Sequence, residues 1–215
     1  DENLAPESSS KERILRAAQT VFAQKGFDGA RVDEIARLAG VNKALIYYYF
    51  KSKEEILHAL LHFAIEEIGT RLGNPAELMA RVLDSPAEAD ELLVGFIKFF
   101  RERKELLSIA VMELLKDTPR RDVILSHLAE EVWQSQAYES MGIKVDPAQA
   151  RVTEFFTGLA PIVMLVLLAE PWQKLYGESD AELMRMFATA FKETHMRYTM
   201  ESLYAKKQDE GEKKE

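Results

Sequence analysis

The sequence predicts an all-α fold: a three-helix head over residues 8–52, a larger helical bundle over 53–205, and a charged mobile tail over 206–215. Three observations predict it. Candidate capping residues are followed three positions later by Glu or Gln at Ser9–Glu12, Ser52–Glu55, Asn74–Glu77, Ser85–Glu88, Asp146–Gln149 and Ser179–Glu182, a pattern that satisfies backbone N–H groups from both sides. Four candidate caps precede a proline, at Asn74-Pro75, Ser85-Pro86, Thr118-Pro119 and Asp146-Pro147. Proline suits the first helical position because its missing N–H would be unpaired there. Between these starts apolar residues recur at helical spacing, and no run shows the strand alternation of period two.

The elements follow in order. After Ser9, Ile14, Ala17, Ala18, Val21 and Phe22 line one helix face. Val32–Ala39 suits a two-turn helix with Ile35, Ala36 and Ala39 inward, and Gly40 supplies the left-handed conformation that ends it. Val41 plugs the turn and Asn42 caps a third helix running to Tyr49, with Ile46 and Phe50 directed to the core. After Ser52, the series Ile56, Leu57, Leu60, Leu61, Ala64 and Ile68 marks a helix shared by head and bundle, with no flexible linker between them. The last two long helices, about Pro147–Leu168 and Asp180–Tyr204, are apolar on more than one stripe, which implies burial on two sides.

Composition sets limits on function. The chain has no cysteine, which removes disulfides, cysteine-held metals and thiol catalysis and suits a reducing cytoplasm. The longest apolar run, Leu159–Ala169, falls short of the ~17–25 residues of a spanning helix and contains Pro161, so a buried helix and no membrane partner are expected. The net charge of −8 speaks against an acidic partner until it is divided. Ser8–Lys53 holds nine bases and four acids, a charge of +5; the first seven residues carry −3, leaving −10 for the rest. A basic head on an acidic body points to nucleic acid as the partner of the head alone.

The head has the matching geometry. Helix, short Gly-containing turn, helix is the arrangement that sets a second helix into the DNA major groove. Lys43 stands at the N-terminus of that second helix, where backbone N–H groups also favour phosphate. Tyr47, Tyr48 and Tyr49 cannot all face one core, because successive helical residues point about 100° apart, and a phenol left outside can donate to phosphate. Lys51 and Lys53 add charge at the exit.

Gly26-Phe27, Val32–Ala36 and the run Ala39–Leu57 (AGVNKALIYYYFKSKEEIL) resemble the N-terminal signature of TetR-type transcriptional regulators, almost without gaps over residues 10–57. The resemblance implies a helix-turn-helix head, a homodimer that binds a pseudo-palindromic double-stranded DNA operator, and a helical ligand-binding body whose small-molecule effector releases the protein from DNA. A repressor is the reading it implies, with an activator or a non-enzymatic helical binding protein as the alternative. The implied DNA-binding residues are Arg31, Asn42, Lys43, Ala44, Leu45, Tyr47, Tyr48, Tyr49 and Lys53; Tyr47 and Lys53 are assigned to phosphate, Lys43, Ala44, Leu45 and Tyr48 to the groove. Ala30-Arg31 replaces the usual hydroxyl cap of the second helix, so Arg31 is the substitute phosphate contact.

In the body, Phe96, Phe99, Phe100, Met112, Trp133, Phe155, Phe156 and Met164 are the candidate lining of an apolar effector pocket. No cofactor, metal or enzyme activity is expected. His58 and His62 share a helix face without the neighbouring Glu of a HExxH site, and no Gly-rich phosphate loop or nucleophile elbow is present.

Overall fold

The computed structural model describes residues 9–72, 81, 85–132 and 146–197, and every regular element among them is helical. These are α1 Ser10–Gly29, α2 Val32–Ala39, α3 Lys43–Tyr49, α4 Lys53–Leu72, α5 Pro86–Arg101, α6 Lys104–Leu114, α7 Pro119–Val132, α8 Pro147–Val152, α9 Ala160–Tyr176 and α10 Asp180–Phe191. Two wider π-helical segments, Thr153–Leu159 and Lys192–Met196, follow α8 and α10. Packing divides the chain into two compact units. The first is the chain through Glu66 with Glu105–Ile124; the second is Glu67–Lys104 with the chain from Leu125 onward.

The expected caps form where their backbone is described, except at Ser85 and at Thr118, whose hydroxyl makes no hydrogen bond. Ser9 accepts from the Glu12 amide, Ser52 from the Glu55 amide, and Ser179 and Glu182 make the full reciprocal box. Asp146 accepts from the Ala148 amide. Ser85 makes no side-chain cap bond, although Pro86 still opens α5. The Asn74–Glu77 pattern, Trp133, Tyr198, Met200 and the tail lie outside the described residues.

In the first unit, α1 presents Ile14, Ala18 and Phe22 to the core, all fully buried. Gly26 breaks the helix at φ 68°, and Phe27 returns to the core against Phe22 with ring centroids 5.2 Å apart. Ile35, Ile46 and Ile56 close the same core from α2, α3 and α4. Burying each such side chain stabilises by roughly 1.5–3 kcal/mol, and this packing holds the short α2 and α3 in helical form.

In the second unit, α9 packs on α5 and α10. Its buried face is Ile162, Val163, Val166 and Ala169. Its other face is not buried: Met164, Leu168, Trp172 and Tyr176 form an exposed ridge at four-residue spacing, with Leu168 53% and Trp172 46% exposed, and Val152 of α8 and Phe156 of the π segment are exposed as well. Within the chain the expected burial is therefore met on one face of α9 only. Pro161 does not interrupt the helix, because the preceding segment widens into a π turn where the missing N–H is accommodated. The continuous stretch Pro147–Tyr176 is long and apolar enough to cross a membrane, so the argument from a short apolar run fails.

The two π segments face each other. The Thr157 hydroxyl donates to the Thr153 carbonyl at 2.7 Å, so it accepts the Nδ1–H of His195 at 2.9 Å. Nε2 of His195 lies 3.6 Å from the Glu154 carboxylate, and the ring packs on Phe191. The imidazole occupies space that only a glycine leaves: a Cβ on Gly158 would stand 2.9 Å from its Cε1. Burial pushes the His195 imidazole down from 6.5 to about 4.

Two outcomes are expected. Between pH 6.5 and 4 the unfolded chain takes up a proton at this position and the folded chain does not, so stability falls as pH falls through that window, by on the order of 1 kcal/mol per pH unit. Urea denaturation across this range will show the loss in the parent chain and a smaller one in His195→Gln. Gly158→Ala will cost about 1–3 kcal/mol by overpacking, and the penalty will largely disappear when His195 is also alanine.

Candidate nucleic-acid interface

The geometry of α3 follows from its anchors. Ile46 is fully buried and Phe50 is 3% exposed. With 100° between neighbours, that orientation turns Lys43, Ala44, Tyr47 and Tyr48 outward, and all four are exposed; Tyr48 is 80% exposed. Tyr49 is exposed too and meets Tyr48 edge to face at 5.2 Å. Leu45 is half-buried. Asn42 is exposed, and its carboxamide oxygen caps α3 by accepting from the Leu45 amide at 2.7 Å. The side-chain N–H groups of Asn42 are the part left for another acceptor.

The turn before α3 is built from backbone. Gly40 adopts φ 65°, ψ 37°, and the amides of Gly40 and Val41 bond the Arg37 and Ala36 carbonyls, which satisfies the last turn of α2. Arg13 reaches from α1 to the Ala39 carbonyl at 3.2 Å and adds a positive charge at the negative end of α2. Arg31 stands exposed at the N-cap of α2 and makes no side-chain cap bond.

The charges are partly paired. Lys43 Nζ lies 2.9 Å from Asp33, and this hydrogen bond raises the Lys43 pKa. Lys25 holds Glu34 at 2.5 Å, and Glu34 is lowered chiefly by that bond. At the start of α4, the Glu55 carboxylate accepts from the Lys51 amide, so an acid already occupies that helix end.

Lys53 differs from its expected place at a phosphate. Its ammonium donates to the Phe27, Asp28 and Ala30 carbonyls at 2.6, 3.3 and 3.1 Å and lies 4.5 Å above the Phe27 ring. An ammonium has three donors, and all three are engaged. The reason is local: the chain leaves α1 at Gly26, its carbonyls lose helical partners, and Lys53 supplies the missing donors.

Sequence reasoning missed a second group in this unit. Arg120 stacks 4.5 Å over the Phe27 ring on its own account and bonds Asp28 at 2.9 Å and Glu113 at 3.1 Å. Lys116 bonds Asp28 at 2.8 Å and Glu113 at 2.6 Å. Glu113 is 1% exposed, although it ends the amphipathic α6. The available signal was the charge-dense Glu113–Arg121 turn, with Glu113 and Lys116 one helical turn apart.

The expected effector lining is divided between the two units. Met112 belongs to the first unit and is exposed, while Phe96, Phe99, Phe100, Phe155, Phe156 and Met164 belong to the second. Met164 lies on the exposed ridge, and Phe156 is exposed on the π segment. Phe99 and Phe100 are buried, in edge contact at 5.5 Å, and Phe96 stacks on Phe100 at 6.5 Å. Trp133 lies outside the described residues.

Residues 14–60 match the family model described as bacterial regulatory proteins, tetR family. The chain is 35% identical over 108 residues to the HTH-type transcriptional repressor NicS of Pseudomonas putida, covering 49% of each chain. It is 27% identical over 179 residues to the uncharacterized HTH-type transcriptional regulator YhgD of Bacillus subtilis, covering 80% of this chain and 88% of that one. It is 50% identical over 54 residues to the HTH-type transcriptional regulator RutR of Escherichia coli, covering 25% of this chain and 26% of that one. The match thus spans about half the length of the first relative and about a quarter of the third. A transcriptional regulator of Aquifex aeolicus has the same fold, with a TM-score of 0.60 at 22% identity over 86% of this chain and 98% of that one. A mutant of HlyIIR in which a segment is replaced by a linker shares it at a TM-score of 0.51 and 23% identity, over 84% and 94% of the two chains. Residues 14–60 thus carry the signature of the tetR family of bacterial regulatory proteins.

Proposed function

We propose that the chain is a DNA-binding transcriptional repressor that acts as a cytoplasmic homodimer on a pseudo-palindromic operator and is released by a small, mostly apolar effector. The observation that carries this reading is the outer face of α3. Lys43, Ala44, Tyr47 and Tyr48 project from a helix whose opposite side is locked into the core through Ile46. A helix held this way suits the major groove, with Lys43 and Ala44 near base edges and Tyr47 and Tyr48 near phosphate or the groove wall. Arg31 supports a phosphate contact at the start of α2. Lys53 is better suited to hold the α1–α2 corner than to meet DNA directly.

The ridge of α9 supports the dimer. One face of α9 serves its own unit, and the other presents Met164, Leu168 and Trp172 to the outside, with Phe156 exposed on the preceding π segment. An exposed apolar surface of this kind calls for a partner. A second copy is favoured because two such ridges related by a twofold axis bury each other. The effector is assigned to the second unit, with Phe96, Phe99 and Phe100 as its apolar lining. The relative from Pseudomonas putida is named a repressor, which favours repression here.

Selection from a random duplex pool tests the DNA reading. A preferred, pseudo-palindromic sequence is expected, bound with an affinity that falls steeply as salt rises; recovery of no preferred sequence would remove the repressor assignment. On the selected duplex, Tyr47→Ala will lower affinity for all sequences by a similar factor, whereas Lys43→Ala will change base preference. Lys53→Met will lower the melting temperature, which Tyr47→Ala will leave unchanged; the reverse pattern would return Lys53 to the phosphate backbone. In sedimentation the parent chain is expected to be a dimer at micromolar concentration and the double variant Leu168→Glu, Trp172→Glu a monomer. A parent monomer, or a chain that sediments only with lipid or detergent, would overturn the ridge assignment. Native mass spectrometry of the purified chain checks for a copurified apolar ligand.

A further inference from the structure

Asp28 is an exposed acid in the corner that leads into α2, two residues past the Gly26 break and three before Arg31, the proposed phosphate contact. Its side chain is 63% exposed. Alone, an acid there would weaken DNA binding by repelling phosphate. It is not alone: Lys116 and Arg120 reach it from the turn between α6 and α7, 88 and 92 residues away in sequence. The same two cations meet again on the buried Glu113, and Arg120 also lies 3.7 Å from the Glu54 carboxylate, so three acids and two bases form one cluster. Arg120 also covers the Phe27 ring from its α7 position, while Lys53 lies over the same ring from α4. Cations bound twice over to carboxylates are poorly placed to serve as phosphate contacts. Their geometry instead ties the α6–α7 turn to the corner from which Arg31 and α2 depart.

We propose that the Asp28–Lys116–Arg120–Glu113 cluster positions the helix-turn-helix for DNA: it fixes the 27–31 corner against the α6–α7 turn and thereby sets where Arg31, α2 and the attached α3 meet the duplex. The proposal rests on the DNA-binding reading above. The cluster lies wholly within the first compact unit, which joins Glu105–Ile124 to the head. Asp28 and Arg120 act through the placement of other residues, so both are positioning residues. The Lys116 hydrogen bond also holds the Asp28 carboxyl below its usual range, so the contact stays charged further into acid than an ordinary aspartate would.

The sign of one substitution separates this role from a bystander's. The full-length parent chain first selects a duplex from a random pool; affinities for that duplex and for a scrambled one are then measured by fluorescence anisotropy at one salt concentration. In Asp28→Asn, removing an acid raises or preserves affinity for the scrambled duplex. Affinity for the selected duplex is expected to fall about two- to fivefold, the range of an exposed ion pair. Asp28→Glu restores it, Arg120→Lys keeps the charge and still lowers the ratio, and the melting temperature of Asp28→Asn stays at the parent value. An Asp28→Asn chain that binds both duplexes equally well or more tightly, with the ratio unchanged, overturns the proposal. So does a parallel loss on both duplexes accompanied by a lower melting temperature, which marks a purely structural pair. A parent chain that selects no sequence fails at the earlier step and overturns the DNA reading together with the proposal.

Discussion

One-sided burial of a seven-residue helix is the constraint on which the interface depends. α3 is too short to hold helical form alone, and Ile46 with Phe50 supplies its attachment to the core. Once those two are seated, the period of the helix leaves no choice for the others. Three consecutive tyrosines, an alanine and a lysine face outward because the core admits only one side. The left-handed Gly40, the Asn42 cap and the Arg13 contact to the Ala39 carbonyl all serve to deliver α3 in that orientation.

The features legible in the sequence are those with a period or a cap. Ser9, Ser52, Asp146 and Ser179 announce helix starts through local chemistry, and Ile14, Ile35, Ile46 and Ile56 announce the core through spacing. Contacts across long separations leave no such trace. Lys53 looks like a phosphate ligand in a basic exit sequence until the Gly26 break is seen to strip carbonyls of their partners beside it. Glu113 looks like a surface acid, yet two cations allow it to be buried. In α9 the sequence shows apolar residues around the helix, which implies two covered faces; it does not say that only the Ile162–Val166 side is covered within the chain. Phe156 and Met164, expected as pocket lining, stand on the side left uncovered. The π segments carry no recognised signature, although Gly158 and His195 depend on each other in the fold.

Charge shows the same division between what is local and what is distributed. The +5 of Ser8–Lys53 pointed to the head, but the formal value overstates the field at its surface. Asp33 faces Lys43, Glu34 faces Lys25, and Lys53 is turned toward carbonyls. The outward charge is concentrated instead at positions such as Arg31, with phenols providing further donors. Neutral donors weaken less with salt than ammonium groups do, so a surface built on tyrosines depends on shape as well as on counterion release.

Shape in turn has to be held against the same ionic strength that screens the phosphate contacts. At physiological salt an exposed pair loses much of its attraction beyond about 8 Å, whereas a buried one is screened far less. The cluster at the α1–α2 corner has both kinds of member. Asp28 lies on the outside and Glu113 on the inside, with Lys116 and Arg120 spanning the two. The buried carboxylate holds the cations in place under conditions that would loosen a surface pair, and the cations then hold Asp28. A buried charge is costly when unpaired, and only the loss of both Lys116 and Arg120 would strand Glu113. That penalty is what makes the corner rigid: the exposed half of the cluster inherits its order from the half that water does not reach.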